Sequence, residues 1–112
     1  MAAAMHDVRV EAAKAFVASH LAEPLSIAQL AAVAHISAFH FARLFKQATG
    51  KTPHAYVTAQ RMEHAKTLLS GGSMPLADVA ASVGFQTQGR FTEVFHRYAG
   101  TTPRRYRVST RN

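Results

Sequence analysis

Apolar residues recur along this chain at helical spacing, and they fall into a succession of short amphipathic segments. Val10, Ala13, Val17 and Leu21, with Phe16 beside them, lie three or four positions apart while Arg9, Glu11 and Lys14 fall elsewhere, which predicts a helix over residues 8–21 that ends before Pro24. Ser26 is then placed to cap a short helix with Ile27, Leu30, Ala31 and Ala34 inward, and Gln29, three residues on, completes a capping box. A sharp turn is expected at His35, where a positive φ favours glycine and tolerates histidine better than most residues. Ile36 follows as a core residue and Ser37 as the next cap. The helix after it should bury Phe41, Leu44, Phe45 and Ala48, turn Ala38, Phe39, His40, Ala42, Arg43 and Lys46 partly or fully outward, and stop at Gly50.

Pro53 suits the first turn of a longer helix running to about Leu69 and packing through Tyr56, Val57, Met62, Ala65, Leu68 and Leu69. The stretch SGGS (70–73) is the flexible joint, and Pro75 opens a helix with Leu76, Val79, Ala80 and Val83 inward. Gly84 supplies the turn, Phe85 a core side chain and Thr87 a cap; Phe91, Val94, Phe95 and Tyr98 form the expected buried stripe of the following helix, with Gly89, Arg90 and Glu93 outward. Gly100 and Thr102-Pro103 start a last turn of helix carrying Tyr106, among the basic residues Arg104, Arg105, Arg107 and Arg111.

The two halves say nearly the same thing. Ile27 to Ile36 (IAQLAAVAHI) matches Leu76 to Phe85 (LADVAASVGF) at an offset of forty-nine, and the match resumes at fifty with Phe41/Phe91, Phe45/Phe95, Gly50/Gly100, Thr52/Thr102, Pro53/Pro103 and Tyr56/Tyr106. Each copy reads as helix, tight turn and longer helix. The expected fold is all-α, with two helix-turn-helix subdomains joined by a long linker helix and about seven helices in all. The boundaries that follow are a disordered start (1–7), the first subdomain (8–52), the linker helix (53–69), the second subdomain (70–107) and a frayed tail (108–112).

Composition narrows the function. The 112 residues carry thirteen Lys and Arg against six Asp and Glu, a net charge of +7 and a pI near 10.6, so polyanions are attracted to the chain. Its length leaves no room for a separate sensor or catalytic domain, and no small-molecule ligand is expected within it. No cysteine is present, no window reaches the ~18 apolar residues of a membrane span, and the start lacks the marks of an export signal, all of which suits the cytoplasm. Met5 is a candidate alternative start. The histidines His6, His20, His35, His40, His54, His64 and His96 are scattered without ligand spacing, and no nucleophile elbow, phosphate loop or acid pair occurs, so no metal, cofactor or enzymatic activity is expected.

In a helix-turn-helix the second helix enters the major groove, whose floor presents a distinct donor and acceptor pattern for each base pair. The first copy supplies His40, Arg43 and Lys46 with Phe39 and Ala42 as apolar surface: Arg43 can fork onto guanine and Phe39 can press a thymine methyl. The second supplies Gln86, Gln88 and Arg90, with glutamine suited to adenine. A solvated helix face explains any one of these residues equally well, but not two sets at matching points of a repeat. Ser37 and Thr87, with helix-start amides beside them, and Lys46, Lys51, Arg97, Arg104 and Arg105 are candidate phosphate contacts. If about six are engaged, log affinity falls with log salt at a slope of roughly −5. Arg61, between the motifs, either braces them through an acid such as Asp78 or touches phosphate, the brace being the preferred reading.

The segments ARLFKQATGKTPHAYVTAQRMEHAKTLL (42–69) and ADVAASVGFQTQGRFTEVFHRYAGTTPRRYR (77–107) resemble the DNA-binding domain of the AraC/XylS family of bacterial transcription regulators, and the likeness runs from about Val8 to Arg107. The resemblance implies recognition helices in successive major grooves of double-stranded DNA and activation through contact with RNA polymerase. It puts base reading on Phe39, Ala42 and Arg43 and on Gln86, Gln88, Gly89, Arg90 and Glu93. Three positions depart from the family pattern: His35 for the turn glycine, Gly89 where serine is usual, and Glu93 where arginine is common. A linker of seventeen residues spans roughly 25 Å, so a monomer can cover two grooves about one turn (~34 Å) apart, on an asymmetric site. The alternatives are a sequence-indifferent architectural DNA binder and an interaction module that docks on RNA polymerase.

Overall fold

The computed structural model describes residues 7–111, and these are organised as helices and connections with no strand among them. In chain order the helices are α1 (Val8–Ser19), α2 (Ile27–Ala34), α3 (Ala38–Thr49), α4 (Pro53–Leu69), α5 (Leu76–Ser82), α6 (Gln88–Ala99) and α7 (Pro103–Ser109). Two compact units result, one up to Thr58 and one from Ala59 onward, so α4 gives its first turns to one and the rest to the other.

In the first unit the core is Val10, Ala13 and Val17 of α1, Leu30, Ala31 and Ala34 of α2, Phe41 and Phe45 of α3, and Val57 of α4. The capping box at Ser26 is present: its hydroxyl accepts from the Gln29 amide at 3.1 Å, and its own amide donates to the Gln29 side chain at 2.8 Å. His35 ends α2 in the left-handed region (φ 61°), and the Ile36 amide closes back onto the Ala31 carbonyl at 3.1 Å. The chain then swings through 83° into α3. Ser37 caps α3 by accepting from the His40 amide at 3.1 Å, and Gly50 stops it at φ 80°.

The second unit repeats this construction. Its core joins Met62, Ala65 and Leu69 of α4, Val79 and Ala80 of α5 with Val83 just after it, and Phe91, Val94 and Phe95 of α6. The duplication therefore begins earlier than residue 27. Val10, Ala13 and Val17 stand fifty-two positions before Met62, Ala65 and Leu69, and both triplets are buried. α4 plays for the second motif the part α1 plays for the first, and its buried triplet lies three residues closer to the helix that follows.

Several details differ from the sequence expectations. Asp7, assigned to the disordered start, is the N-cap of α1, while residues 1–6, including Met5 and His6, and residue 112 lie outside the described residues. α1 stops at Ser19, and Ile27, placed inward, is 41% exposed because it occupies the first turn of α2 rather than its packed face. Pro75 caps α5 from outside, its ψ of 143° being extended. Tyr98, placed in the buried stripe of α6, is also 41% exposed: its ring lies near the Lys66 ammonium and its hydroxyl donates to Glu63 at 2.8 Å, so it spans the rim. Val108 and Ser109, assigned to the tail, complete α7. Arg107, counted among the basic residues near the end of the chain, is half-buried; it donates from Nε to the Leu69 carbonyl at 3.1 Å and satisfies the end of α4.

Candidate nucleic-acid interface

α3 and α6 each bury one stripe and leave a long polar face without core contacts. On α3 the rings of Phe41 and Phe45 point inward, which by helical period turns Phe39, His40, Arg43 and Lys46 to the exposed side. Phe39 is 74% exposed, an uncommon position for a ring that contributes nothing to packing. The Arg43 guanidinium lies 5.9 Å from the centre of that ring, one turn along the helix. A flat apolar surface and a cationic fork are thus presented side by side. Ala42 is half-buried and forms the edge of this face.

On α6 the matching positions are chemically different. Gly89 stands where α3 has Phe39, Arg90 where it has His40, and Glu93 where it has Arg43. Gly89 leaves the face bare, and a Cβ there would meet nothing within 4 Å. Arg90 donates from Nη1 to Glu93 Oε1 at 2.7 Å, and both side chains are 59% exposed. The acid therefore competes for the arginine one turn away, a relation the separate readings of the two residues missed although i, i+3 spacing carries the signal. Gln86 and Gln88 flank the Thr87 cap and are exposed.

The phosphate candidates are placed as follows. Ser37 and Thr87 each accept from an amide three residues on, at 3.1 Å, and retain the hydroxyl proton as a donor. Lys46, Lys51, Arg97, Arg104 and Arg105 are exposed. Arg104 and Arg105 occupy the first turn of α7, where the helix dipole disfavours cations by a few tenths of a kcal/mol, so helix stability does not explain them. Arg61 is half-buried on α4, and burial lowers its pKa. Asp78 is exposed in the first turn of α5. Both belong to the second unit, so the interdomain brace expected of them becomes, at most, a tie inside that unit.

One residue beside this face escaped the sequence reading. Arg9, on α1, lines a hollow of about 200 Å³ together with Ile36, His40, Arg43, Leu44 and Gln47. Its Nε and Nη2 donate to the two Asp7 oxygens at 3.0 and 2.7 Å, while its amide donates to the same carboxylate at 2.8 Å. These hydrogen bonds hold the Asp7 carboxyl at about 2, below its ordinary 3.8. A depressed carboxyl pKa stabilises the folded state above the unfolded value and loses that contribution as the pH falls through the folded one. The start of α1 should accordingly loosen between pH about 4 and 2, read as a loss of Val10 and Glu11 amide protection, and Asp7→Asn, which keeps a cap, should remove that step.

Among the described residues no cluster of three His, Cys, Asp or Glu could hold a metal, and no single helix is long and apolar enough to cross a membrane.

A family model described as a helix-turn-helix domain matches residues 30–109. The chain is 38% identical over 96 residues to the probable transcriptional regulator LumQ of Photobacterium leiognathi, covering 86% of this chain and 39% of LumQ. A structure of a transcriptional regulator with an AraC-type DNA-binding domain, from Chromobacterium violaceum, superposes with a TM-score of 0.85 at 26% identity over 92% of each chain. The chain belongs to the AraC family of transcription regulators. Another family domain, that of the global transcriptional factor AdpA in complex with a target DNA, superposes with a TM-score of 0.85 at 30% identity, covering 90% of this chain and 91% of that one. The chain is also 31% identical over 102 residues to the regulatory protein PocR of Salmonella typhimurium, covering 91% of itself and 34% of PocR. It thus spans between a third and two fifths of the length of these two curated AraC family relatives.

Proposed function

We propose that this chain binds double-stranded DNA sequence-specifically and regulates transcription, with α3 and α6 each entering a major groove of one asymmetric site. The observation that carries the reading is the pair of capped helices whose faces are bare of core contacts and furnished for base edges. Arg43 serves guanine in the first motif, with His40 beside it and Phe39 and Ala42 as apolar surfaces for a thymine methyl. Gln86, Gln88 and Arg90 serve the second, with Gly89 admitting close approach and Glu93 accepting from cytosine N4. Ser37, Lys46, Lys51, Thr87, Arg97, Arg104 and Arg105 supply the sequence-independent phosphate term. Arg61 and Asp78 tie α4 to α5 within the second unit. The AdpA domain, solved in complex with a target DNA, supports the DNA-binding part of this reading.

Asymmetry follows from the paired positions: Phe39 against Gly89 and Arg43 against Glu93 cannot prefer the same bases. With two motifs on one chain, a monomer suffices. Selection of bound duplexes from a random pool tests this directly, and should recover two unlike blocks about one turn, ~10 base pairs, apart. Recovery of no preferred site favours an architectural binder; weak DNA binding beside tight, salt-insensitive binding to RNA polymerase favours an interaction module.

Glu93→Arg should raise affinity for random DNA and steepen the salt slope by about one to two, because it adds a cation and releases Arg90 from its carboxylate. Unchanged affinity for random DNA would place Glu93 away from the duplex.

A further inference from the structure

We propose that the hollow beside α3 is a phosphate oxyanion site, and that Arg9, from the helix ahead of the first motif, holds a DNA backbone phosphate there. The inference rests on the DNA-binding reading and adds to it a residue outside the helix-turn-helix. The hollow, about 200 Å³, is lined by Arg9, His40, Arg43 and Gln47 over an apolar base of Ile36 and Leu44. Its polar side chains are two guanidiniums, an imidazole and an amide, and no carboxylate among the described residues lines it. Such a set donates far more than it accepts, which suits an oxyanion and repels a cation. The volume corresponds to about seven waters at ~30 Å³ each, enough for a phosphodiester with part of its sugar.

Arg9 is prepared for the task. Asp7 takes two of its nitrogens, Nε and Nη2, which fixes the plane of the guanidinium and leaves the hydrogens of Nη1 and one of Nη2 for another acceptor. With Arg43 included, the cluster remains net cationic after Asp7 is counted. Asp7 also caps α1, so the side chain is anchored to the helix end instead of waving from it. The same helix register carries Arg61 in the second unit, fifty-two positions on, but there the arginine is half-buried; in the first unit it is exposed beside the recognition helix. DNA backbones flank the groove a recognition helix enters, so a cation on α1 that shares a hollow with His40 and Arg43 meets a phosphate without competing for base edges.

A methylphosphonate scan of the selected duplex, which neutralises one phosphate at a time, tests the assignment with wild type, Arg9→Ala and Arg9→Lys. Circular dichroism confirms that the variants fold, and inorganic phosphate is titrated against the wild-type Arg9 and His40 side-chain NMR signals in parallel. One methylphosphonate beside the first half-site should weaken wild type about tenfold and Arg9→Ala less than twofold, with Arg9→Lys between them. The salt slope of Arg9→Ala should be smaller by about one. Phosphate shifting both signals with no such coupling would keep the oxyanion site and assign it to free phosphate instead of the duplex. Neither coupling nor shift, in a protein that still selects its site, overturns the proposal and leaves the DNA reading standing. Failure to select any duplex defeats the DNA reading itself, and the phosphate titration then decides the hollow alone.

Discussion

Phe95→Ala should remove about 3–5 kcal/mol from the second unit, enough to unfold most of it, because a helical motif of about fifty residues has only about 3–8 kcal/mol in hand. Phe95 is fully buried and sits in the middle of a run of rings, its centre 5.7 Å from Phe91 and 5.6 Å from Tyr106, while Phe91 is in turn 5.7 Å from Phe85. Alanine opens a cavity between α6 and α7 and forfeits two tilted or edge-on aromatic contacts, each worth about 0.5–1.5 kcal/mol beyond burial. Backbone cannot close the gap cheaply, since Gly100 at φ 79° and the Thr102 cap fix the step between the two helices. Amide exchange in α5, α6 and α7 reads the outcome. Protection there that falls by less than about 1 kcal/mol would show that the ring is not the keystone its burial implies. Phe45→Ala makes the corresponding test in the first unit, where Phe45 bridges Phe41 at 5.3 Å and Tyr56 at 5.1 Å.

Most of this architecture is legible before any coordinates because the signals are local. Ser26 with Gln29, Ser37, Thr87 and Thr102 mark helix starts through short-range hydrogen bonds, and His35, Gly50, Gly84 and Gly100 mark stops through the sign of φ, so hydrophobic pattern and punctuation agree at these boundaries. What escaped is what depends on distance along the chain. The role of α4 as the second motif's first helix is hidden because the repeat changes offset, from fifty-two before the α4–α5 connection to forty-nine after it. Tyr98 and Arg107 look alike to a helical wheel and to a charge count, yet one leans over Lys66 towards Glu63 and the other folds in to reach Leu69; both outcomes hang on partners more than thirty residues away. Arg9 was invisible as a site residue for the same reason: only the packing of α1 on the first motif brings it beside His40 and Arg43.

The face of α3 is legible in a different sense: its exposure follows from periodicity, whereas the side-chain arrangement on it does not. That Arg43 rests near the Phe39 ring, and that Arg90 is engaged by Glu93, are facts about competition between neighbours on one turn. They matter because an exposed ion pair is worth only about 0.2–1 kcal/mol. Arg90 can therefore leave Glu93 at small cost, and the pair adds little to stability.

Arg43→Ala should weaken binding to the selected duplex by about 1–3 kcal/mol and relax preference at a single base pair, while leaving affinity for random DNA much less changed. The expectation follows from the side chain's geometry and place. Arg43 is exposed, lies on the face opposite Phe41 and Phe45, and stands over Phe39, which limits the directions its fork can take before DNA arrives. A bidentate contact to guanine loses both hydrogen bonds on truncation, whereas a phosphate contact loses a charge that every sequence offers equally. Lys46→Ala, one turn further along the exposed face, provides the contrast: a point charge without a fork should lower affinity for all duplexes alike and reduce the salt slope by about one. Competition binding against single-base variants of the site, at two or more salt concentrations, separates the two signatures. Equal losses on specific and random DNA for Arg43→Ala would move it from the base-reading set to the phosphate set. Phe39 would then be left as the principal reader of that half-site, its 74% exposure explained by contact with a thymine methyl alone.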